Sequence, residues 1–204
     1  MTIVGSRKLS AYGKAVTTLL ATELARSGVV VVSGLAIGVD AIAHRAALDA
    51  GGLTIAVLPS SICDIYPASH TGLARQIVAQ GGALVSEYPG GSRTYPGNFV
   101  ARNRIASGLG DALLITEAAE KSGTLHTANF ALEQGKPVLA VPGNITSPTS
   151  VGTNNLIKTG ATPVTSVDDI FHILGMQCAG PDSKRYTSSN PHEQTLLDLL
   201  QTGV

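Results

Sequence analysis

The residues best suited to chemistry stand where short apolar runs give way to glycines and hydroxyl side chains. The fullest such stretch is Thr116-Glu117-Ala118-Ala119-Glu120-Lys121-Ser122-Gly123-Thr124. An apolar run, then Lys-Ser-Gly-Thr, then a helix-forming stretch makes a cradle for an anion, in which hydroxyls, backbone N–H groups and one ammonium converge. Glu117 and Glu120 have the right type for a general acid and base, but no nucleophile or metal partner accompanies them. Their expected role is to orient the loop or the arginines.

Other loops repeat the theme. In Gly5-Ser6-Arg7-Lys8, glycine admits close approach of a ligand, Ser6 can bond a phosphate, and Arg7 offers a bidentate fork. The competing reading is an ordinary basic turn. Ser33-Gly34-Leu35-Ala36-Ile37-Gly38-Val39-Asp40 leads from a strand into a helix, whose free N–H groups would point at the site. This is neither GxGxxG nor a P-loop, which argues against an ordinary dinucleotide or NTPase site. Asp40 reads as a helix cap rather than a catalyst, and His44, one turn on, as its structural partner. Arg93 to Arg104 holds three arginines and no acid, with Tyr95 and Phe99 beside Arg102-Asn103-Arg104. Charge interleaved with aromatic faces suits single-stranded nucleic acid, and Asn103 adds hydrogen bonding to a base edge or sugar. The bland alternative has one arginine in solvent and the other paired with Asp111 or Glu117. Pro142-Gly143-Asn144 and Gly152-Thr153-Asn154-Asn155 are further candidate ligand loops.

These loops need a scaffold that gathers them on one edge. Candidate strands are Thr2–Val4, Val29–Val32, Thr54–Leu58, Ala83–Val85, Ala112–Ile115, Val138–Val141 and Thr162–Val164. Between them lie helical stretches: one capped by Ser10 and running to Arg26, then Asp40–Ala50, Ser69–Gln80, Asn98–Ser107, Thr124–Gln134, Asn154–Lys158 and Asp168–Leu174. Alternation of this kind predicts an α/β fold, a doubly wound and mostly parallel sheet with helices on both faces. Ligands of such sheets bind outside the carboxyl ends of the strands, where all these loops fall. Residues 1–175 form this domain, 176–190 read as a linker, and 191–204 as the start of a further domain cut short. Thr2-Ile3-Val4 reads as a core strand without a lead-in, so the chain is expected to be a fragment.

Composition agrees. The chain has 204 residues, 44% hydrophobic, 14% charged and 4% aromatic, so its core must rest on Val, Ile, Leu and Ala. Formal net charge is zero, so any anion site must be local. Cys63 and Cys178 stand far apart and form no CxxC pair, which fits a reducing, cytoplasmic setting without a zinc site. No run is long enough to span a membrane and no secretory signal opens the chain.

Taken together and in order, Val4-Gly5-Ser6-Arg7, Ser33 to Asp40, Arg102-Asn103-Arg104-Ile105, Glu117-Ala118 with Lys121-Ser122-Gly123-Thr124, Ala140-Val141-Pro142-Gly143 and Gly152 to Ile157 resemble the DNA-processing protein A (Smf) family. The resemblance covers roughly residues 2 to 174. It implies an extended Rossmann-like fold that binds single-stranded DNA, dimerises through the same domain, and helps load the RecA recombinase in natural transformation. It implies no catalytic residue, metal or cofactor. By analogy Ser6, Arg7, Ser33, Gly34, Gly38 and Lys121 would line a pocket for the DNA backbone. Ser122, Gly123 and Thr124 would belong to the same phosphate cradle, and Arg102, Asn103 and Arg104 would support or extend it. Asp40, His44 and Glu117 would be supporting residues, and 191–204 would begin a winged-helix-like domain. Two departures stand out: Val100 where the family has proline, and Asn155 where a basic residue is expected.

The rival is an enzyme. Nucleoside-monophosphate phosphoribohydrolases of the lysine-decarboxylase-like group share a Rossmann-like sheet and a Gly–Thr loop. They need Pro-Gly-Gly before that loop and a Glu three residues after the Thr. Here Glu120-Lys121-Ser122 and Thr127 occupy those places, so the carboxylate is missing. A sensor of a small nucleotide is a third reading and would need a closed pocket.

Overall fold

A computed structural model of the chain describes residues 1–176 and Glu193. Apart from Met176 and Glu193, the expected linker and the expected start of a further domain lie outside the described residues.

Seven parallel strands form one sheet: β1 (Thr2–Val4), β2 (Val31–Ser33), β3 (Thr54–Val57), β4 (Ala83–Val85), β5 (Leu113–Ile115), β6 (Val138–Ala140) and β7 (Thr162–Pro163). Their order is β4-β3-β2-β1-β5-β6-β7. The chain winds outward from β1 to β4, then returns to the other side of β1 to lay down β5, β6 and β7. The switch point therefore falls between β1 and β5, whose register pairs Thr2 with Leu113 and Val4 with Ile115. Loops leaving those two strands must diverge, and a crevice opens between them.

The helices are α1 (Ala11–Arg26), α2 (Val39–Asp49), α3 (Thr71–Ala79), α4 (Pro96–Leu109), α5 (Thr124–Glu133), α6 (Val151–Lys158) and α7 (Val167–Ile173). Alternation along the strands decides which helices each face receives. Ile3, Val31, Leu114 and Leu139 pack with Leu20, Leu24, Ala43, Ala47 and Ile170, so α1, α2 and α7 share one face. Neighbouring strand residues point the other way: Leu113, Ile115 and Val138 meet Ala128 and Ala131 of α5, while Val32 and Val57 meet Ala106 of α4. The many alanines let helices lie close on strands of branched side chains.

Capping fixes where the helices begin. The Ser10 hydroxyl accepts from Gly13 N–H at 3.0 Å to start α1. Ser166 and Asp169 form a reciprocal capping box at α7. Backbone N–H groups of Thr165 and Ser166 donate to Asp169 and hold its carboxyl below the usual carboxylate range. Among the described residues, no helix is long and apolar enough to cross a membrane.

Candidate functional site

At the switch point one residue bonds to both halves of the sheet. Ser6 N–H donates to the Glu117 carbonyl at 2.7 Å, and the Ser6 carbonyl accepts from Val39 N–H at 3.1 Å. The loop after β1 is thus fixed to the loop after β5 and to the first turn of α2. Gly38 makes this approach possible: its φ is +87°, and a β-carbon there would stand 2.2 Å from the Ser6 carbonyl oxygen.

Above this joint lies an open cleft of about 460 Å³, a volume typical of ligand sites. Gly5, Ser6, Arg7 and Lys8 form one wall. Ala119, Ser122, Gly123, Thr124 and Thr127 form another. Helix α4 adds Phe99, Val100, Arg102 and Asn103, and Val4, Ala36, Asp40 and Thr149 complete it. Its charged lining residues are three cations and one acid, so the site is locally positive in a chain of zero net charge.

Arg7 is exposed and its guanidinium carbon stands 5.4 Å from the centroid of the Phe99 ring, a cation–π geometry. Phe99 in turn meets the edge of Tyr66 at 5.2 Å and 78°. A side chamber of about 80 Å³ opens there, with Gly34, Ile37, Tyr66 and Pro67 in its walls.

Arg102 is the buried cation of the site, 4% exposed, and lines both spaces. Its Nη1 donates to the Val57 carbonyl at 2.5 Å, while Nε has no hydrogen-bond partner. Burial lowers its pKa, Asp40 opposes that shift, and Arg7 adds to it; a guanidinium nevertheless stays charged. Burial likewise raises the Asp40 pKa, against the pull of Arg102 and of the N–H groups it accepts from. Those donors are Gly34 N–H at 3.1 Å and Ala36 N–H at 3.3 Å. Asp40 so pins a turn in which Leu35, fully buried, adopts φ +58°. It is a loop clasp from within its own helix.

Several side chains stand elsewhere than the sequence alone implied. Ser33 is fully buried and donates to the Ile3 carbonyl at 2.6 Å, committed to the sheet instead of the cleft. Gly34 lines only the side chamber. Arg104 is outside both spaces and pairs with Glu87, neither Asp111 nor Glu117. The expected Asp40–His44 pair is replaced by two separate contacts: His44 Nδ1 lies 2.7 Å from Thr54 Oγ1, whose own proton goes to the Val31 carbonyl. His44 therefore donates from Nδ1 and keeps a bare, buried Nε2. Burial, then the charge of Arg102, lowers its pKa to about 3.

Glu117 is 2% exposed and orients a helix, not an arginine. Its Oε2 accepts from Ser10 N–H at 2.9 Å and its Oε1 from the Ser10 hydroxyl at 2.5 Å. Lys121 is exposed on the cradle loop, one residue before Ser122, and is not itself part of the cleft wall. Ser122 Oγ donates to Thr124 Oγ1 at 3.0 Å and accepts from Thr124 N–H at 3.3 Å, which shapes the entry to α5. Residues not singled out from sequence also line the two spaces: Tyr66 and Thr149. Each lies far along the chain from its neighbours in space, so no local pattern marks it.

The arrangement matches a known group of proteins. A family model described as DNA recombination-mediator protein A matches residues 1–175. Protein Smf of Escherichia coli is 44% identical over 196 residues, which are 95% of this chain and 52% of that protein. The chain thus spans about half the length of that curated relative. The structure of DNA processing protein A from Streptococcus pneumoniae superposes with a TM-score of 0.78 at 39% identity, over 84% of this chain and 60% of that one. Its counterpart from Helicobacter pylori, in a structure that concerns that protein's single-stranded DNA binding mode, gives 0.76 at 37% identity over 85% and 78%. A molybdenum cofactor binding protein from Rippkaea orientalis, at 20% identity and a TM-score of 0.61, shares the fold alone. With the match running through both halves of the sheet and every loop of the cleft, the chain belongs to the DNA recombination-mediator protein A family.

Proposed function

We propose that this chain binds single-stranded DNA through the switch-point cleft, with backbone phosphates against Arg7, Lys8 and the Lys121–Thr124 cradle. The observation that carries the reading is the cleft's charge: exposed Arg7 stacked on Phe99, above buried Arg102, with no ion pair to Arg7 among the described residues. Cation and aromatic face together suit a strand whose bases are unpaired. An open cleft accepts a polymer that passes through it, as a closed pocket does not. The Helicobacter pylori relative, studied for its single-stranded DNA binding, supports the assignment.

Binding of this kind is physical. Phosphates displace counterions at the cations, so affinity falls with salt. No chemistry is assigned to the cleft: Asp40 is its one acid, held by Gly34 and Ala36, and Thr127 lines it where the hydrolase rival needs a carboxylate. The wider role we propose is to protect incoming DNA in the cytoplasm during natural transformation and to help load RecA on it. A homodimer would place two clefts on one strand and make the second contact intramolecular.

The test is fluorescence anisotropy of a labelled oligonucleotide, single- and double-stranded, with this chain and with Arg7→Ala/Lys121→Ala across salt concentrations. Salt-sensitive preference for the single strand, lost in the double variant, supports the cleft as the site. No binding by a folded chain overturns it.

A further inference from the structure

Among the residues that line the cleft Asp40 alone is acidic, and its carboxylate opposes any anion that enters. Its two oxygens are not equivalent. Oδ2 accepts both bonds of the clasp, from Gly34 N–H at 3.1 Å and Ala36 N–H at 3.3 Å, and Oδ1 accepts neither. The carboxyl also faces the Ser33 hydroxyl, whose own proton goes to the Ile3 carbonyl at 2.6 Å. Ser33 Oγ therefore keeps a lone pair open to a proton from the carboxyl. A proton on Oδ1 leaves both clasp bonds in place.

The charged surroundings of Asp40 are sparse. Arg102, on α4, is the one charged side chain whose field bears on the carboxyl. Arg7 and Lys8 stand on the loop after β1, and the α5 wall brings only the neutral Ser122, Thr124 and Thr127. On Asp40's own helix, His44 turns to Thr54 and, being buried, is neutral down to about pH 3. His70, in the turn before α3, has Nδ1 2.8 Å from the Leu35 carbonyl, within the loop that Asp40 clasps. Asp40 itself is buried, so its charge is balanced by Arg102 and two amides and little by water.

A DNA phosphate in the cleft sets a second anion against the same buried cation. Two like charges in one site disfavour double ionisation, and a proton on Asp40 removes the conflict without breaking the clasp. We propose that Asp40 takes up a proton from solvent when a DNA phosphate enters the cleft, so that strand and proton bind together. The coupling is reciprocal: acid favours the strand as the strand favours the proton. Asp40 then sets the affinity of the cleft and its response to pH without touching the DNA. The proposal rests on the single-stranded DNA reading of the cleft.

The experiment titrates a dT oligonucleotide, whose bases keep one protonation state throughout, at fixed salt between about pH 8 and pH 5. Calorimetry in two buffers of different ionisation enthalpy counts the protons taken up, and thermal melts confirm folding at each pH. The expected result is affinity that rises as pH falls, by up to about tenfold per pH unit for one proton, with a matching uptake. Asp40→Asn keeps an oxygen for Gly34 and Ala36. It should bind more tightly than the unaltered chain at the alkaline end and lose the uptake and most of the slope. His70→Gln should keep both. Should Asp40→Asn not fold, infrared difference spectra of the unaltered chain decide: a protonated-carboxyl band that grows on adding the oligonucleotide supports the proposal, and none overturns it. Binding without proton uptake overturns the proposal and leaves the cleft reading standing. Uptake that persists undiminished in Asp40→Asn, or vanishes in His70→Gln, puts the proton elsewhere and also overturns it. If the oligonucleotide binds the folded chain at no pH, the cleft reading falls and the proposal with it.

Discussion

The guanidinium of Arg102 lies against the backbone of Gly34, so near that a β-carbon at position 34 would stand 1.8 Å from Nη1 and 2.5 Å from Cζ. A cation from α4 thus fills the space that an ordinary side chain after β2 would occupy. The absence of a side chain at 34 and the presence of the charge at 102 are one feature.

Gly34→Ala should therefore act as an indirect mutation of Arg102. The added methyl must drive the guanidinium away from the Val57 carbonyl and leave a buried charge without its partner. A loss of about 3 kcal/mol follows from breaking such a contact, read as a lower urea midpoint at unchanged slope. Strand affinity should fall with it. An unchanged midpoint would mean that Arg102 is not held by this contact.

Salt dependence separates the cations. If Arg7 and Lys121 each neutralise one phosphate, their joint replacement by alanine should flatten the plot of log affinity against log salt by roughly 1.4, at about 0.7 per contact on a single strand. The loss should be similar for all sequences. A slope that does not change would remove both residues from the phosphate path.

Arg104→Ala should behave differently. Arg104 and Glu87 are half-exposed and lie outside the cleft, so the pair contributes no more than about 1 kcal/mol to stability. Binding should weaken far less than with Arg7→Ala. Equal losses in the two variants would bring the strand across the outer face of α4.

Acid should destabilise the domain through His44. Its folded pKa of about 3 lies below the ordinary 6.5, so between those values the unfolded chain binds a proton that the native chain does not. Stability from this group is whole above pH 6.5 and falls as pH drops toward 3, with a slope of at most about 1.4 kcal/mol per pH unit. Asp40 acts oppositely. Its pKa is raised from 3.8, so stability it provides in acid is lost as pH rises through the native value, and the net acid limb is shallower. Urea melts at pH 7 and pH 5 should show the decline, and His44→Gln should reduce it.

At the start of α1, Ser10→Ala removes the hydroxyl that accepts from Gly13 and donates to Glu117. The lost cap should cost about 1 kcal/mol, and the buried carboxylate then keeps a single donor, Ser10 N–H. Ser10→Thr, which restores a hydroxyl, should recover most of the loss in a thermal melt. Failure of that rescue would point to packing instead of the hydrogen bonds.

The elements were legible from sequence because aliphatic runs of strand length alternate with stretches ended by glycine. Within residues 1–176, all seven strands and seven α-helices fall within a few residues of their expected places. The order of strands was not legible, since parallel neighbours are set by crossovers and leave no local mark. That the glycine and hydroxyl loops gather at one edge of the sheet was readable, yet which of their side chains face the cleft was not. Arg102 and Arg104 show why. Residues two apart on a helix point nearly opposite ways, so one joins buried Ala106 against the sheet and the other meets Glu87 in solvent. Sequence types them alike, and only the packing of α4 distinguishes them. Ser33 was misplaced for a similar reason: as the last residue of β2 its side chain turns to Ile3, while the glycine after it meets Arg102.

Ser6 joins the two windings of the sheet through its own amide and carbonyl, and the cleft above it takes walls from both. A ligand seated there is held by neither winding alone, so a partial opening of either one releases it. Its binding energy is then shared by the whole domain. Amides in β3 and in β6, on opposite sides of the joint, should gain the same increment of protection from hydrogen exchange when the cleft is filled, and the Ser6 amide should be the first to lose protection when the halves part.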